Sequence, residues 1–268
     1  MRTPGTPPET TPATTPETTL VCLHALGMSA RSFGPLAREL APEFDLLALD
    51  LPGFGGAPLD PGTSVPDMTA WVREQVTGHL DGRGRRDDRR WLLLGHSMGG
   101  KVATVLAAGL DPAERPAGVV LLAASPPSPE PMDEERRRRM LGWAADGPLD
   151  EAAAGEFLAA NTGGPLDPAL DALAREDLHR TDPAAWRAWL EHGSREDLSA
   201  RVGRLDVPAL VVAGGADGDL GPQAQRELNG AVYPAARFRT LDGAGHLLPL
   251  ERPAEVAAAI RQSFSTGA

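Results

Sequence analysis

Apolar runs of strand length alternate with stretches of helical periodicity along most of the chain. The apolar runs predict strands over residues 20–24, 44–49, 91–95, 119–123, 209–213 and 237–241. Helical periodicity covers residues 32–40, 66–80, 97–110, 222–231 and 253–264. Because the strand runs are continuously apolar, we expect a sheet buried on both faces, and the intervening helices make neighbouring strands parallel. The pattern predicts an α/β fold with a mostly parallel, doubly wound sheet.

The alternation stops between residues 125 and 206. This part opens with the proline-rich sequence SPPSPEP and continues with helical periodicity and no strand-like run. Its apolar side chains include Trp143, Trp186 and Trp189, of which the last two share one helix face. An all-helical insertion after the strand near residues 119–123 predicts a lid over residues 126–206. The α/β core would then comprise residues 20–125 and 207–268.

Two polar segments are expected to lie outside the packed fold. Residues 1–19 are almost all Thr, Pro and Glu, so they lack apolar surface to bury and should stay extended and disordered. They also lack the apolar stretch of a signal peptide. Residues 81–90, rich in Arg, Asp and Gly, predict a mobile, solvated connection.

The composition argues against several classes of partner. The chain has 268 residues, 41% hydrophobic and 24% charged, with a formal net charge of −11. This negative charge provides no attraction to nucleic acid or anionic lipid, and the apolar runs are too short to cross a membrane. The lone cysteine, Cys22, is expected to be a buried hydrophobic residue, compatible with a reducing cytoplasm. We therefore expect a cytoplasmic protein with no nucleic-acid or membrane partner.

The stretch LLLGHSMGGKVA places a serine in a tight turn between a strand and a helix. Ser97 lies between Gly95 and Gly99, where side chains would collide with the neighbouring helix and strand. Such a turn lifts the serine hydroxyl above the sheet edge, but the hydroxyl needs a base and an orienting acid to become a good nucleophile. Gly-x-Ser-x-Gly between strand and helix resembles the nucleophile elbow of the α/β-hydrolase family.

The resemblance to α/β-hydrolases implies where the acid and the base lie. In that family they follow two later strands, in the chain order serine, acid, histidine. Here the strand at 209–213 is followed by a Gly-rich turn with Asp217, and the last strand is followed by a loop with His246. The resemblance therefore implies a triad of Ser97, Asp217 and His246.

One other aspartate competes for the role of the acid. Asp219 lies two residues beyond Asp217, but its spacing from Gly214 fits the family less well, and it is expected to cap the helix beginning near residue 222. Some family members place the acid after the preceding strand. The residues Ala-Ala-Ser at 123–125 offer no carboxylate there.

The loop after the first strand, LHALGMSARSF, resembles the family's His-Gly loop. The resemblance implies an oxyanion hole formed by the backbone N–H groups of Leu26 and Met98. Ala25 stands where the family usually has glycine, and its Cβ narrows the backbone conformations allowed there. His24 and His96 flank the site and are expected to support its loops.

The loop after the second strand resembles the family's Asp-x-Pro-Gly-x-Gly turn. Asp50 is expected to accept hydrogen bonds from local backbone N–H groups. Phe54 either packs in the core or lines the pocket, as do Trp143, Trp186 and Trp189 in the helical insertion. The family usually has a two-strand hairpin before the His-Gly loop, which residues 1–19 cannot form. The sheet should therefore be small, with an exposed edge.

These residues predict a serine hydrolase that cleaves a small carboxylic ester, lactone or thioester through an acyl-enzyme on Ser97. Its partner would be a small-molecule acyl substrate. The sequence contains no metal-ligand cluster or phosphate-binding loop, so neither a metal nor a cofactor is expected. Three alternatives would use the same triad and fold: a perhydrolase, a carbon–carbon bond hydrolase and a ligand-binding signalling protein.

Overall fold

A computed structural model of the chain describes residues 18–60, 62–82 and 90–264, in which six parallel strands form one sheet. The strands are β1 (Thr18–Leu23), β2 (Phe44–Leu49), β3 (Arg90–His96), β4 (Gly118–Leu122), β5 (Ala209–Gly214) and β6 (Arg237–Leu241). The predicted strands and the parallel sheet are confirmed. The expected burial on both faces is wrong for β6, because its sequence RFRTL is mostly polar and three of its five residues are exposed.

The tail predicted at 1–19 lies outside the described residues up to residue 17, but Thr18 and Thr19 pair with β2 and β3, so the expected disorder is wrong for these two residues. The connection predicted at 81–90 lies outside them over residues 83–89. Residues 81 and 82 are helical and Arg90 begins β3, so the connection is shorter than predicted.

The strand order β2-β1-β3-β4-β5-β6 determines where a site is expected. From β1 the chain goes outward to β2 and then returns to β3 on the other side of β1. In doubly wound sheets, ligands bind outside the carboxyl ends of the strands at such a reversal. The loops that follow β1 and β3 begin at this point.

Helices cover both faces of the sheet. Outside the connection between β4 and β5 they are α1 (Gly34–Leu40), α2 (Val65–Gly82), α3 (Met98–Gly109), α9 (Pro222–Ala224), α10 (Gly230–Val232), α11 (Leu248–Glu251) and α12 (Pro253–Phe264). On one face, Leu36 of α1 and Ile260 of α12 join a buried cluster with Cys22. On the other, Val72 of α2 and Val102 of α3 belong to a second cluster. Burial of Cys22 raises the pKa of its thiol and confirms its expected role as a hydrophobic residue.

The helix predicted at 222–231 is broken into three parts. A π-helical turn, Gln225–Asn229, separates α9 from α10. The wider turn places the side-chain amides of Gln225 and Asn229 inside the protein, where both donate to the carbonyl oxygen of Ala124, at 2.9 and 3.0 Å. These buried hydrogen bonds favour the irregular turn over a continuous α-helix.

Between β4 and β5 the chain forms only helices, as predicted. They are α4 (Glu134–Gly142), α5 (Glu151–Asn161), α6 (Pro168–Arg180), α7 (Pro183–Ala188), its π-helical continuation Trp189–Gly193, and α8 (Ser199–Val202). Aspartate N-caps begin the first four of these helices, at Asp133, Asp150, Asp167 and Asp182. We call residues 134–202 the helical segment. Strands β4 and β5 nevertheless pair directly, with Val119 opposite Ala209.

Strand β2 forms an edge of the sheet, because its only strand partner among the described residues is β1. The six-stranded sheet with an open edge agrees with the size expected from the sequence. Across residues 18–60, 62–82 and 90–264, every helix is too short or too polar to cross a lipid bilayer.

Candidate active site

Ser97 alone makes the turn between β3 and α3. Its backbone has φ of 49° and ψ of −118°, a conformation that is sterically unfavourable for a residue with a Cβ. A Cβ at Gly95 would lie 2.5 Å from the carbonyl oxygen of Gly99, and one at Gly99 would lie 2.3 Å from that of Leu23. Neither position can therefore accept a side chain, which confirms the physical reason given for the glycines.

Asp217 and His246 form a hydrogen-bonded pair beyond the ends of β5 and β6. The Asp217 Oδ2 atom accepts from His246 Nδ1 at 2.7 Å, and both side chains are largely buried. Burial alone would raise the pKa of Asp217, but the His246 charge and hydrogen bond outweigh it and lower that pKa. Conversely, burial alone would lower the pKa of His246, but Asp217 raises it above its ordinary value. In the neutral ring this bond keeps the proton on Nδ1, so Nε2 is the basic atom.

His96, the residue before Ser97, makes the contact between this turn and His246. In the part of the chain that the structure describes, Ser97 Oγ forms no hydrogen bond with His246. His96 Nε2 donates to the carbonyl oxygen of His246 at 2.8 Å, and the two rings lie 5.5 Å apart. Burial lowers the pKa of His96 to about 3, so this ring stays neutral and supports the loop as expected. Catalytic hydrogen bonds are often long in a free enzyme and shorten when substrate binds.

The loop after β1 accommodates alanine in place of the family's glycine. Of the described non-glycine residues only Ser97 and Ala123 have positive φ, so Ala25 is unstrained, and Gly27, with φ of 73°, takes the left-handed conformation. Among the described residues, the backbone hydrogen bonds of loops, turns and caps include none donated by the N–H of Leu26 or by that of Met98. Both groups are therefore available as donors.

Two side chains tie this loop to the loop after β2. His24 Nε2 accepts from the N–H of Leu51 at 2.9 Å, so its Nδ1 carries the proton and donates to the Ala25 carbonyl oxygen at 2.8 Å. Burial lowers the pKa of His24, which favours this neutral form. Phe54 packs against the edge of the His24 ring, with centroids 5.4 Å apart. His24 therefore supports the two loops, as expected.

Asp50 bridges the same loops through main-chain donors. Its Oδ1 atom accepts from the N–H of Ala30 at 2.7 Å and its Oδ2 atom from that of Gly56 at 2.9 Å. The expected local hydrogen bond is confirmed at Gly56. The bond to Ala30 adds a contact to the loop after β1.

The expectation that Asp219 caps a helix is wrong. The N-cap residue of α9 is Gly221, which has no side chain to cap the helix. Asp219 instead pairs with Arg136 of α4 at 2.7 Å, and the same guanidinium donates to Asn161 Oδ1 at 3.1 Å. The Asp219 carboxylate, which the local sequence predicts as a helix cap, therefore binds the guanidinium of Arg136 from the helical segment.

A small cavity of about 40 Å³ lies beside the Asp217–His246 pair. Its lining residues are Glu130, Pro131, Met132, Arg136, Asp217, Asp219, Leu220 and His246. The four predicted pocket residues Phe54, Trp143, Trp186 and Trp189 do not line it, and they pack within or against the larger hydrophobic cluster. Their role as pocket lining stays a prediction. Among the described residues, no three His, Cys, Asp or Glu side chains are grouped so as to hold a metal ion.

Glu251 supports the histidine loop, residues 242–247 between β6 and α11, a role that the sequence does not predict. Its Oε2 atom accepts from the N–H groups of Gly163 and Gly245, at 2.7 and 2.9 Å. Its Oε1 atom accepts from the N–H of Leu247 at 3.0 Å. One carboxylate thus binds the main chain on both sides of His246. An acidic residue in a first helical turn is common, so the sequence contained no distinguishing signal.

Similarity to known proteins decides the family. The model of the alpha/beta hydrolase family matches residues 20–259. The chain belongs to this family. A pimeloyl-[acyl-carrier protein] methyl ester esterase from Aeromonas salmonicida is 30% identical to this hydrolase over 260 residues, which cover 90% of this chain and 93% of the relative. Esterase YbfF from Escherichia coli is 27% identical over 251 residues, which cover 91% of each chain.

Solved structures resemble this hydrolase over nearly its whole length. A thermophilic esterase from Thermogutta terrifontis has a TM-score of 0.74 and 25% identity, covering 92% of this chain and 89% of that one. The enol-lactonase from Burkholderia xenovorans LB400 has a TM-score of 0.76 and 25% identity, covering 93% and 92%. The family, the relatives and the shared fold together identify an enzyme that catalyses hydrolysis.

Proposed function

We propose that this hydrolase cleaves a small carboxylic ester, lactone or thioester through an acyl-enzyme formed on Ser97. The proposal rests mainly on the 2.7 Å hydrogen bond between Asp217 and His246, at the same sheet edge as the strained turn at Ser97. Relatives named as a methyl ester esterase and an enol-lactonase support ester and lactone carbonyls as the substrate class.

In the proposed reaction, His246 Nε2 takes the proton of Ser97 as the serine oxygen attacks the carbonyl carbon. Asp217 stabilises the resulting imidazolium and keeps the ring in the required orientation. The backbone N–H groups of Leu26 and Met98 stabilise the tetrahedral oxyanion, each by roughly 3 kcal/mol. The imidazolium then gives its proton to the leaving alcohol or thiol. Water, deprotonated by His246, then attacks the acyl carbon. As the bond to Ser97 Oγ breaks, His246 returns the proton to that oxygen and the acid is released.

We assign residues 126–206 as a lid on the core formed by residues 20–125 and 207–268. Two contacts support this assignment. Arg136 of the helical segment reaches Asp219, and the carbonyl oxygen of Asn161 accepts the N–H of His246 at 2.8 Å. A lid in contact with the histidine loop would exclude water and strengthen the electrostatic interactions in the site.

The first test replaces the nucleophile. Ser97→Ala is expected to keep the fold, because the change is small, and to lower ester turnover by a factor on the order of 10⁴ or more. Ser199→Ala, which changes an exposed serine of α8, serves as the matched control and should retain activity. A fluorophosphonate probe should label Ser97 in the wild type. Labelling at another serine, or an active Ser97→Ala variant, would contradict the assignment.

A second test separates an enzyme from a ligand-binding signalling protein. Short-chain nitrophenyl esters should be turned over many times per chain, with a burst of nitrophenol if deacylation is slow. The measurement is the number of equivalents released after mixing. A single slow equivalent, with the acyl product retained, would support the signalling alternative instead.

A further inference from the structure

A carboxylate that the proposed mechanism does not use lies in the cavity beside His246. Glu130 belongs to the loop between β4 and α4 and lines this cavity together with Asp217 and His246. Its backbone N–H donates to the carbonyl oxygen of Ser194 at 2.8 Å, which fixes the loop against the residue that ends the π-helical stretch Trp189–Gly193. Residues 123–125, directly after β4, contain no carboxylate, but the same loop brings the carboxylate of Glu130 to the site five residues later.

The side chain of Glu130 is connected to the nucleophile through one fully buried residue. Ser125 Oγ donates a hydrogen bond to Glu130 Oε1, and the N–H of Ser125 donates to the carbonyl oxygen of Ser97 at 3.0 Å. Two residues before Ser125, Ala123 has φ of 40°, so like Ser97 it has a backbone conformation that is unfavourable for a residue with a Cβ. Strained non-glycine residues are concentrated at functional sites, because the surrounding structure must hold them in place.

The charged groups around Glu130 and His246 define the electrostatics of this cavity. The charged groups that act on Glu130 are Lys101, Arg137 and His246, and those that act on His246 are Asp217, Glu130 and Arg136. The neutral ring of His96 also packs beside His246. Burial raises the pKa of Glu130, and the Ser125 hydrogen bond and the Lys101 charge offset this only in part.

We infer that Glu130 is a positioning residue for the reaction, a second carboxylate that favours the protonated form of His246. This inference rests on the proposed function. When His246 accepts the proton of Ser97, a positive charge appears in a buried site of low dielectric constant. Glu130, from the loop after β4, then stabilises that charge together with Asp217, from the loop after β5.

The test measures the pKa of His246 by NMR titration of histidine-labelled protein without substrate. His246→Gln assigns the resonance by its disappearance. In Glu130→Gln the pKa of His246 is expected to fall by about 0.5 to 1 unit, because a nearby negative charge is removed. Glu135→Gln makes the same chemical change at an exposed position of α4 and should leave this pKa unchanged.

Kinetics provide a second readout on the same variants. Loss of imidazolium stabilisation should lower kcat by about threefold to tenfold with little change in KM, and should move the acid limb of kcat/KM to lower pH. Glu130→Asp, which restores the charge, should recover part of the pKa shift. If Glu130→Gln does not fold, Ser125→Ala replaces it in the test. Without the hydrogen bond from Ser125, the protonated form of Glu130 is favoured, so the pKa of His246 should also fall.

The outcomes separate this inference from the proposed function. An unchanged pKa of His246 in Glu130→Gln, or in Ser125→Ala where that variant replaces it, overturns the role of Glu130 even if the wild type hydrolyses esters. A wild type that turns over no ester overturns the proposed function, whatever the titration gives. A pKa shift accompanied by the kinetic change supports both.

Discussion

Asp217 and Asp219 lie two residues apart but have different partners and different surroundings. Asp217 binds the imidazole of His246 and is almost completely buried, whereas Asp219 pairs with Arg136 at a partly exposed position. A partly exposed ion pair contributes about 0–1 kcal/mol to stability, because water screens both charges. The two carboxylates should therefore differ sharply in their effect on turnover.

Neutralising each carboxylate in turn tests this difference. Asp217→Asn should keep the shape of the side chain but favour the wrong tautomer of His246, and kcat should fall by up to about 10⁴-fold. Asp219→Asn should change kcat by less than about threefold, because only a screened ion pair is weakened. The measurement is kcat for both variants, with melting temperatures as the control for folding. A stronger loss in Asp219→Asn would show that the acid is misassigned.

Lys101, the only lysine of the chain, is a buried cation of α3. Its Nζ atom donates to the carbonyl oxygens of Gly193 and Glu196, both at 2.9 Å, and lies 5.8 Å from the centre of the Trp189 ring. Burial lowers the pKa of Lys101 to about 8, against 10.5 for an ordinary lysine, although nearby carboxylates such as Glu130 favour the charged form. The folded chain therefore binds this proton less tightly than the unfolded chain does.

This lowered pKa predicts how stability depends on pH. Between pH 8 and 10.5 the unfolded chain holds the Lys101 proton more often, so the contribution of Lys101 to the free energy of unfolding rises with pH. The full difference is about 3 kcal/mol. Urea unfolding of wild type and Lys101→Met at pH 7.5 and 9.5 should show about 2 kcal/mol of this difference, because pH 9.5 lies below the pKa of the unfolded chain. Buried Cys22 and Tyr233 also have shifted pKa values, but they affect both proteins equally, so the difference between the two pH dependences isolates Lys101. Parallel pH dependences would contradict this explanation.

At the scale of elements, one carboxylate of α11 organises the loop between β6 and that helix. Glu251 accepts three main-chain hydrogen bonds, two from the neighbours of His246 and one from Gly163, just after α5. The histidine loop is thus held to its own helix and to the helical segment by the same side chain. Displacement of a catalytic group by about 1 Å can lower the rate by about 100-fold, so this support should matter for catalysis.

Removing the Glu251 carboxylate should reduce both stability and turnover. Glu251→Ala leaves the N–H groups of Gly163 and Gly245 without an acceptor, while the N–H of Leu247 keeps the carbonyl oxygen of Asn161 at 3.2 Å. We expect a loss of about 2 kcal/mol in the free energy of unfolding. We also expect kcat to fall between about tenfold and 100-fold as His246 becomes mobile. Glu255→Ala, an exposed glutamate of α12, is the matched control and should change neither quantity appreciably. Equal kinetics for the two variants would mean that Glu251 is not needed to orient His246.

At the scale of the whole molecule, the features predicted from sequence are those encoded by neighbouring residues. Buried strands can be recognised in the sequence as apolar runs. Because the strands are parallel, the loops after β1, β3, β5 and β6 lie at one edge of the sheet. The contacts missed from the sequence join residues far apart along the chain: Arg136 with Asp219, Lys101 with Gly193, and Glu251 with Gly163. Each is an ordinary charged residue whose partner is decided by the tertiary fold. For the same reason, the local sequence favours a cap at Asp219 and gives no signal at Glu130.

The direct pairing of β4 with β5 bears on how such a protein can diversify. The helical segment leaves the sheet after one strand and returns at its immediate neighbour, so the six strands keep their register whatever lies between them. Residues 134–202 contain none of Ser97, Asp217 and His246, and their contacts with the loop of His246 come from Asn161 and Gly163. Away from those contacts, insertions and deletions can therefore accumulate in the helical segment at a different rate from changes in the sheet.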